Sequence, residues 1–227
     1  MRFRGLGTVL ACFVTAGQVQ SYWASVPHAA SGDETKALPK VTFTKELRGS
    51  VPECVTIAVA ADGSATYDGR KCDDPPSLRP FKLSAATTQR VFDLAAQMRN
   101  FNSVELESHK RVANLGLKTF TYENGSERNQ VQFNYTLRPE AQELADLCER
   151  ISSVQQHVVA LEYLMRYDHL GLPKELQQIQ IDLQNKALAD PEVMSPTLER
   201  IARNPKLLHL AQTRAEDILQ RLHSNNN

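Results

Sequence analysis

The sequence predicts an α+β protein: a small antiparallel sheet with a helix packed on one face, followed by a long helix and an all-helical C-terminal region. Three observations carry that prediction. Short runs of alternating apolar residues recur between residues 41 and 135, four of them flanking an Asp-Gly or an Asn-Gly turn. A helical period interrupts these runs at residues 84–99. From Pro139 onward apolar residues recur at three- and four-residue steps, broken only by proline-marked connections.

The N-terminus reads as an address. Arg2 and Arg4 precede a short apolar run at residues 6–14, and small residues come next at Ala16 and Gly17, the layout of a secretory signal. Cleavage after Ala16 leaves Val14 and Ala16 at the positions that favour aliphatic or small residues, whereas cleavage after Ala24 would place bulky Tyr22 there. The signal is set at 1–16, with 24 as its alternative end. Its apolar run falls well short of the ~20 residues that a helical span needs, so no membrane span is expected in the mature chain. Val9-Leu10-Ala11-Cys12 offers a lipoprotein anchor through Cys12 as the alternative. Residues 17–39, polar with scattered Ala and Pro, read as a flexible lead-in.

The α+β domain is placed at 40–137. Val41-Thr42-Phe43-Thr44 alternates as a first strand, residues 54–60 form a second, Asp62-Gly63 supplies a two-residue turn, and Ala65-Thr66-Tyr67 resumes the strand. With Ala61 facing Ser64, Cys54 lies opposite Lys71, one residue from Cys72. The two sulfurs then lie near one another at the open end of the hairpin, a small shift from disulfide range, and a Cys54–Cys72 disulfide is expected in an oxidising compartment, with two unpaired thiols as the alternative if the chain stays in the cytosol. Cys148 is left over and is expected to be a small buried apolar residue on a helix, with an intermolecular bridge as the alternative. The proline-rich stretch 73–80 is expected to be irregular. Ser84 is a good N-cap for a helix to about Arg99, with Val91, Leu94, Ala95 and Met98 on one face. A further hairpin runs through Leu117, Phe120 and Tyr122 into Asn124-Gly125 and back through residues 131–135, leaving one face of the sheet polar and exposed.

The helical region is placed at 138–227. Pro139 suits a first helical position, and Leu144, Leu147, Ile151, Val154, Val158, Leu161 and Met165 repeat as a heptad seam. A helix over 139–170 would run about 45 Å, longer than a small sheet can cover. Its first half is expected to pack on the α+β domain and its second half on the shorter helices C-terminal to it, with coiled-coil dimerisation as the competing account. Gly171 and Pro173 end it. A helix with Leu176, Ile179 and Leu183 comes next, then a short one with Leu198 and Ile201, and a last one over 207–222.

Two resemblances accompany this layout. The run from Pro52 through Cys54, Asp62-Gly63 and Tyr67-Asp68-Gly69, then Leu83-Ser84 opening a helix and Phe101 after it, resembles a family of exported bacterial α+β domains of unknown function over about 40–136. That family often carries a closely spaced Cys pair ahead of the strand, where this chain has Cys54 alone. The resemblance implies no activity. The segment from Asp190-Pro191 through Leu198, Ile201 and Asn204-Pro205, within about 187–212, is similar to the helical aspartate-proline modules of co-chaperones, which cradle apolar peptide segments. That likeness implies a partner groove exposing Val193, Met194, Leu207 and Leu208. Otherwise these residues are simply the core of the region.

Lys plus Arg and Asp plus Glu number 26 each, so the basic excess of a nucleic-acid binder is absent. No His-Glu-x-x-His, Cys-x-x-Cys, Gly-x-Ser-x-Gly or phosphate-binding glycine loop occurs, so no catalytic, cofactor-binding or metal-ligating residue is assigned. His109, with Glu105 and Glu107, sits in the densest polar cluster. The function expected from these features is a noncatalytic exported interaction or structural module, periplasmic or extracellular, contacting a protein partner or a second copy through its helical region. The alternative is an envelope enzyme of hydrolase type, its site assembled from residues distant in sequence.

Overall fold

The computed structural model describes residues 38–225; the expected signal with Cys12, and the lead-in up to residue 37, lie outside the described residues. Strands β1 (Lys40–Glu46), β2 (Cys54–Ala60), β3 (Ser64–Arg70), β4 (Arg79–Lys82), β5 (Leu117–Asn124) and β6 (Glu127–Phe133) form one antiparallel sheet in the order β4-β3-β2-β1-β5-β6. Helices α1 (Ala85–Gln97), α2 (Pro139–Tyr167), α3 (Leu172–Gln184), α4 (Ser195–Ala202) and α5 (His209–Asn225) complete the α+β fold.

Alternation sorts the sheet into two faces. Val41, Phe43, Ile57, Val59, Tyr67, Phe120 and Phe133 are buried on one of them. Phe120 is the centre of this layer, its ring 5.8 Å from Phe43, 5.3 Å from Phe101 and 5.2 Å from Phe133. The opposite face carries threonines in register: Thr44 lies between Thr56 and Thr119, and Thr42 beside Thr121.

The first hairpin differs from expectation by one residue. Val59 faces Ala65 and Cys54 faces Arg70, because the turn takes three residues, 61–63, instead of two. Gly63 donates its N–H to Ala60 O at 2.9 Å and adopts φ +84°, the left-handed residue that closes a bulged three-residue turn. The slip leaves Cys72 within reach of Cys54, and the disulfide forms with the two Cα atoms 5.1 Å apart. Such bonds persist in oxidising surroundings. The 73–80 stretch also departs from expectation, since its end enters β4. Pro80 is tolerated there because β4 is an edge strand, paired with β3 on one side alone, so the missing N–H interrupts no second ladder.

Ser84 caps α1, accepting a hydrogen bond from Thr87 N at 3.1 Å. The helix ends in a 3-10 turn, Arg99–Phe101, whose three residues all take positive φ and place Phe101 in the core. Helix α2 has 29 residues, about 43 Å, and stops at Tyr167, short of the expected 170. Along it Leu144, Leu147, Cys148 and Ile151 pack under the sheet, while Val154 and Leu161 join a second core built from α3, α4 and α5. Cys148 is 2% exposed, and burial pushes its thiol well above the usual range, so it is inert packing. The helical layer is also tied to α1. Asp190, in left-handed conformation at φ 52°, accepts from Ser84 N at 2.6 Å, Ser84 Oγ at 2.9 Å and Thr87 Oγ1 at 2.6 Å.

Candidate functional site

The four side chains expected to face a partner do not share a surface. Met194 and Leu207 are buried in the second core, Val193 packs against its edge, and Leu208 is exposed. Helix α4 has only eight residues, and it needs Met194, Leu198 and Ile201 inward to be held at all.

An apolar groove lies instead along the outer flank of α2. The β1–β2 connection, residues 47–53, is tied back on itself: Leu47 N donates to Glu53 O at 2.8 Å, and Ser50 Oγ bonds to Leu47 O or Pro52 O, each at 2.7 Å. This held loop presents Val51 95% exposed, so an ordered backbone carries an apolar side chain with almost no contacts of its own. Beside it opens a groove of about 650 Å³, walled by Val51, Pro52, Tyr67, Val159, Ala160, Tyr163 and Leu164. Tyr163 is 58% and Tyr167 67% exposed, with their rings 5.1 Å apart, and Leu170 is exposed one turn beyond. A polar extension of about 170 Å³ continues the groove past Pro52 and Gln156 toward Lys45, Glu53, Glu149 and Ser153. Large exposed apolar and aromatic groups on a held framework are the composition of docking surfaces.

His157 lies at the inner end of the groove. Its Nδ1 is 2.7 Å from Glu175 Oε1 and its Nε2 is 3.0 Å from Asp182 Oδ2, both on α3. Each ring nitrogen therefore donates, which requires the imidazolium. Burial of the ring opposes the charge, but the hydrogen bond and charge of Glu175, then those of Asp182, outweigh it and raise the His157 pKa. A histidine held this way clamps α3 to α2 and has no nitrogen left to accept a proton, so it cannot act as a general base. Because the folded pKa lies above that of the unfolded chain, the stabilisation is complete below the ordinary histidine value of about 6.5 and fades as pH rises through the raised folded value. His157→Gln is expected to lower stability by about 1–2 kcal/mol at pH 6 and by progressively less above neutrality. Urea midpoints across pH 5.5–9 check this, and a penalty independent of pH would contradict the clamp.

Other titratable groups are dispersed. Lys118 is buried beneath a cleft at the end of the sheet lined also by Lys45, Phe133 and Glu149; burial lowers its pKa, and its Nζ donates to Asn134 O at 3.3 Å and Leu115 O at 3.4 Å. Lys45 spans the same cleft to Glu149 at 2.9 Å. His109 pairs with Glu105 at 2.6 Å in an exposed loop, and the pairing raises its pKa. Among the described residues no group of three His, Cys, Asp or Glu side chains is placed to hold a metal ion, and no described helix is long and apolar enough to cross a membrane.

Sequence reasoning missed this groove. Its signal was present in Val159, Tyr163 and Tyr167, which recur at four-residue steps on α2 off the heptad seam. The His157 clamp joins residues 18 and 25 positions apart on two helices and left no local pattern. No family model matches the chain, and comparison with curated proteins finds no match.

Proposed function

We propose that this protein is a noncatalytic exported interaction module, periplasmic or extracellular, that docks a protein partner on the flank of α2. The observation that carries the reading is the exposed Tyr163–Tyr167 pair beside the apolar groove, with Val51 held opposite by a hydrogen-bonded loop. Aromatic anchors next to a preformed apolar concavity supply most of the binding free energy in protein complexes. The Cys54–Cys72 disulfide supports export, since such bonds are rare in reducing compartments. The likeness of residues 40–136 to exported bacterial domains points the same way. The partner is a second protein, and a second copy of this chain on the same surface is the competing outcome.

The test is copurification from the native host combined with light-scattering mass, for the natural chain and for Tyr163→Asp/Tyr167→Asp. Both tyrosines are exposed, so the variant is expected to keep its melting temperature while losing its partner at least about tenfold. A monomeric natural chain that recovers no partner, or a double variant that retains its partner, sinks the reading.

A further inference from the structure

The cleft at the end of the sheet sets two lysines side by side in different surroundings. Lys45 of β1, Lys118 of β5 and Phe133 of β6 are neighbours in register, and alternation puts Lys118 on the core face with Phe120 and Tyr122. Helix α2 forms the opposite wall with Gln142, Ala145, Asp146 and Glu149, around a volume of about 430 Å³. That size is ordinary for a small-ligand site, and the cleft shares no lining residue with the apolar docking groove.

The ammonium of Lys45 is paired with Glu149 at 2.9 Å. Lys118, 9% exposed, has no carboxylate within ion-pair distance among the described residues. Its Nζ donates only to the two main-chain oxygens Asn134 O and Leu115 O, and the Phe133 ring centre is 6.0 Å away, the outer limit of a cation–π contact. A neutral amine has two N–H donors and a lone pair, whereas an ammonium has three donors. Two acceptors therefore satisfy the neutral amine in full and leave an ammonium one donor short. Burial lowers the Lys118 pKa, and Lys45 on β1 adds to the effect, against Glu149 and Asp146 on α2 and Glu107 in the loop before β5. An amine kept from a counterion in this way is a carbonyl nucleophile.

We propose that Lys118 forms a reversible imine with a small aldehyde admitted by this cleft, the carbon chain of the aldehyde packing on Leu115 and Phe133. The Nζ lone pair attacks the carbonyl carbon, and the two amine protons leave with the carbonyl oxygen as water, so no oxidant or reductant is consumed. Protonated, the imine keeps one N–H for Asn134 O. The site does not depend on the docking groove, so either can fail alone.

The experiment treats the full mature chain with limiting propanal and cyanoborohydride, which reduces an imine to a stable propylamine, and reads the label at each lysine by peptide mass mapping. At about pH 7 Lys118 is expected to be labelled at least about fivefold faster than Lys45 and than the exposed Lys71 and Lys110. The preference is expected to vanish in urea, and the pH profile of Lys118 labelling to have its midpoint below theirs. Lys118→Arg, which keeps the charge but offers no amine, is expected to lose the fast phase of labelling and leave the other lysines as they were. Labelling of Lys118 no faster than these lysines, a preference that survives urea, a midpoint equal to theirs, or a fast phase retained by Lys118→Arg overturns the site.

Discussion

Cys54→Ala/Cys72→Ala is expected to lower the stability of the folded chain by about 3 kcal/mol, the loop-closure entropy of a bridge spanning 18 positions. The bond joins the β2 end of the hairpin to the chain just beyond β3, where Cys54 already faces Arg70 across the ladder. The surrounding contacts are modest: Arg70 Nη1 donates to Cys72 O at 2.8 Å, and its Nε pairs with Asp68 at 2.8 Å. The buried Ile57, Val59 and Tyr67 of the same strands hold the hairpin on the core without the bridge. Native topology is therefore expected to survive, with a lower denaturation midpoint, and urea titration under reducing and nonreducing conditions separates the two forms. An unchanged midpoint would mean that the unfolded chain keeps the hairpin closed by itself.

Asp190 supplies the second large effect. Three hydrogen bonds converge on its carboxylate from Ser84 and Thr87, so one side chain 106 residues away completes the N-terminus of α1. Asp190→Gly keeps the left-handed backbone at φ 52° available and removes only the carboxylate; it is expected to cost about 2–3 kcal/mol. Asp190→Asn retains an acceptor and tolerance of that backbone, and is expected to lose about half as much. Thermal melts of the pair, read with hydrogen exchange at the first turn of α1, distinguish a lost cap from general destabilisation. Equal losses in the two variants would assign the effect to the negative charge of the carboxylate instead of to its acceptor geometry.

Much of the fold was legible because its signals are local. Ser84 caps what it was expected to cap, the alternation in 41–44 and 54–60 marks true strands, and Leu144, Leu147, Ile151, Val154 and Leu161 are all buried as a seam should be. The disulfide was legible from hairpin counting even though the count was off by one, since a single-residue slip moves Cys54 from facing Lys71 to facing Arg70 and leaves Cys72 in reach. What escaped depends on contacts between distant segments. Pro80 argued against a strand until its edge position was known, and nothing near Gln155 in sequence reveals that its amide ends up buried and unpaired. Met194 and Leu207 have the sequence look of exposed anchors and of core alike, and only the packing of α4 against α5 and α2 decides between them.

Helix α2 is a party wall. Its first half closes the core under the sheet and its second half closes the core of the helical layer, with the change of partners falling between Ile151 and Val154. A cut at the compositional boundary, between residues 137 and 138, would strip α2 from α1 and from the buried face of β2 and β3, and would leave the helices with Leu144, Leu147 and Ile151 facing nothing. Neither half is then a module that recombination could move alone. Selection has to keep or discard the sheet and the bundle together, and a destabilising change in either one loosens the wall that both lean on.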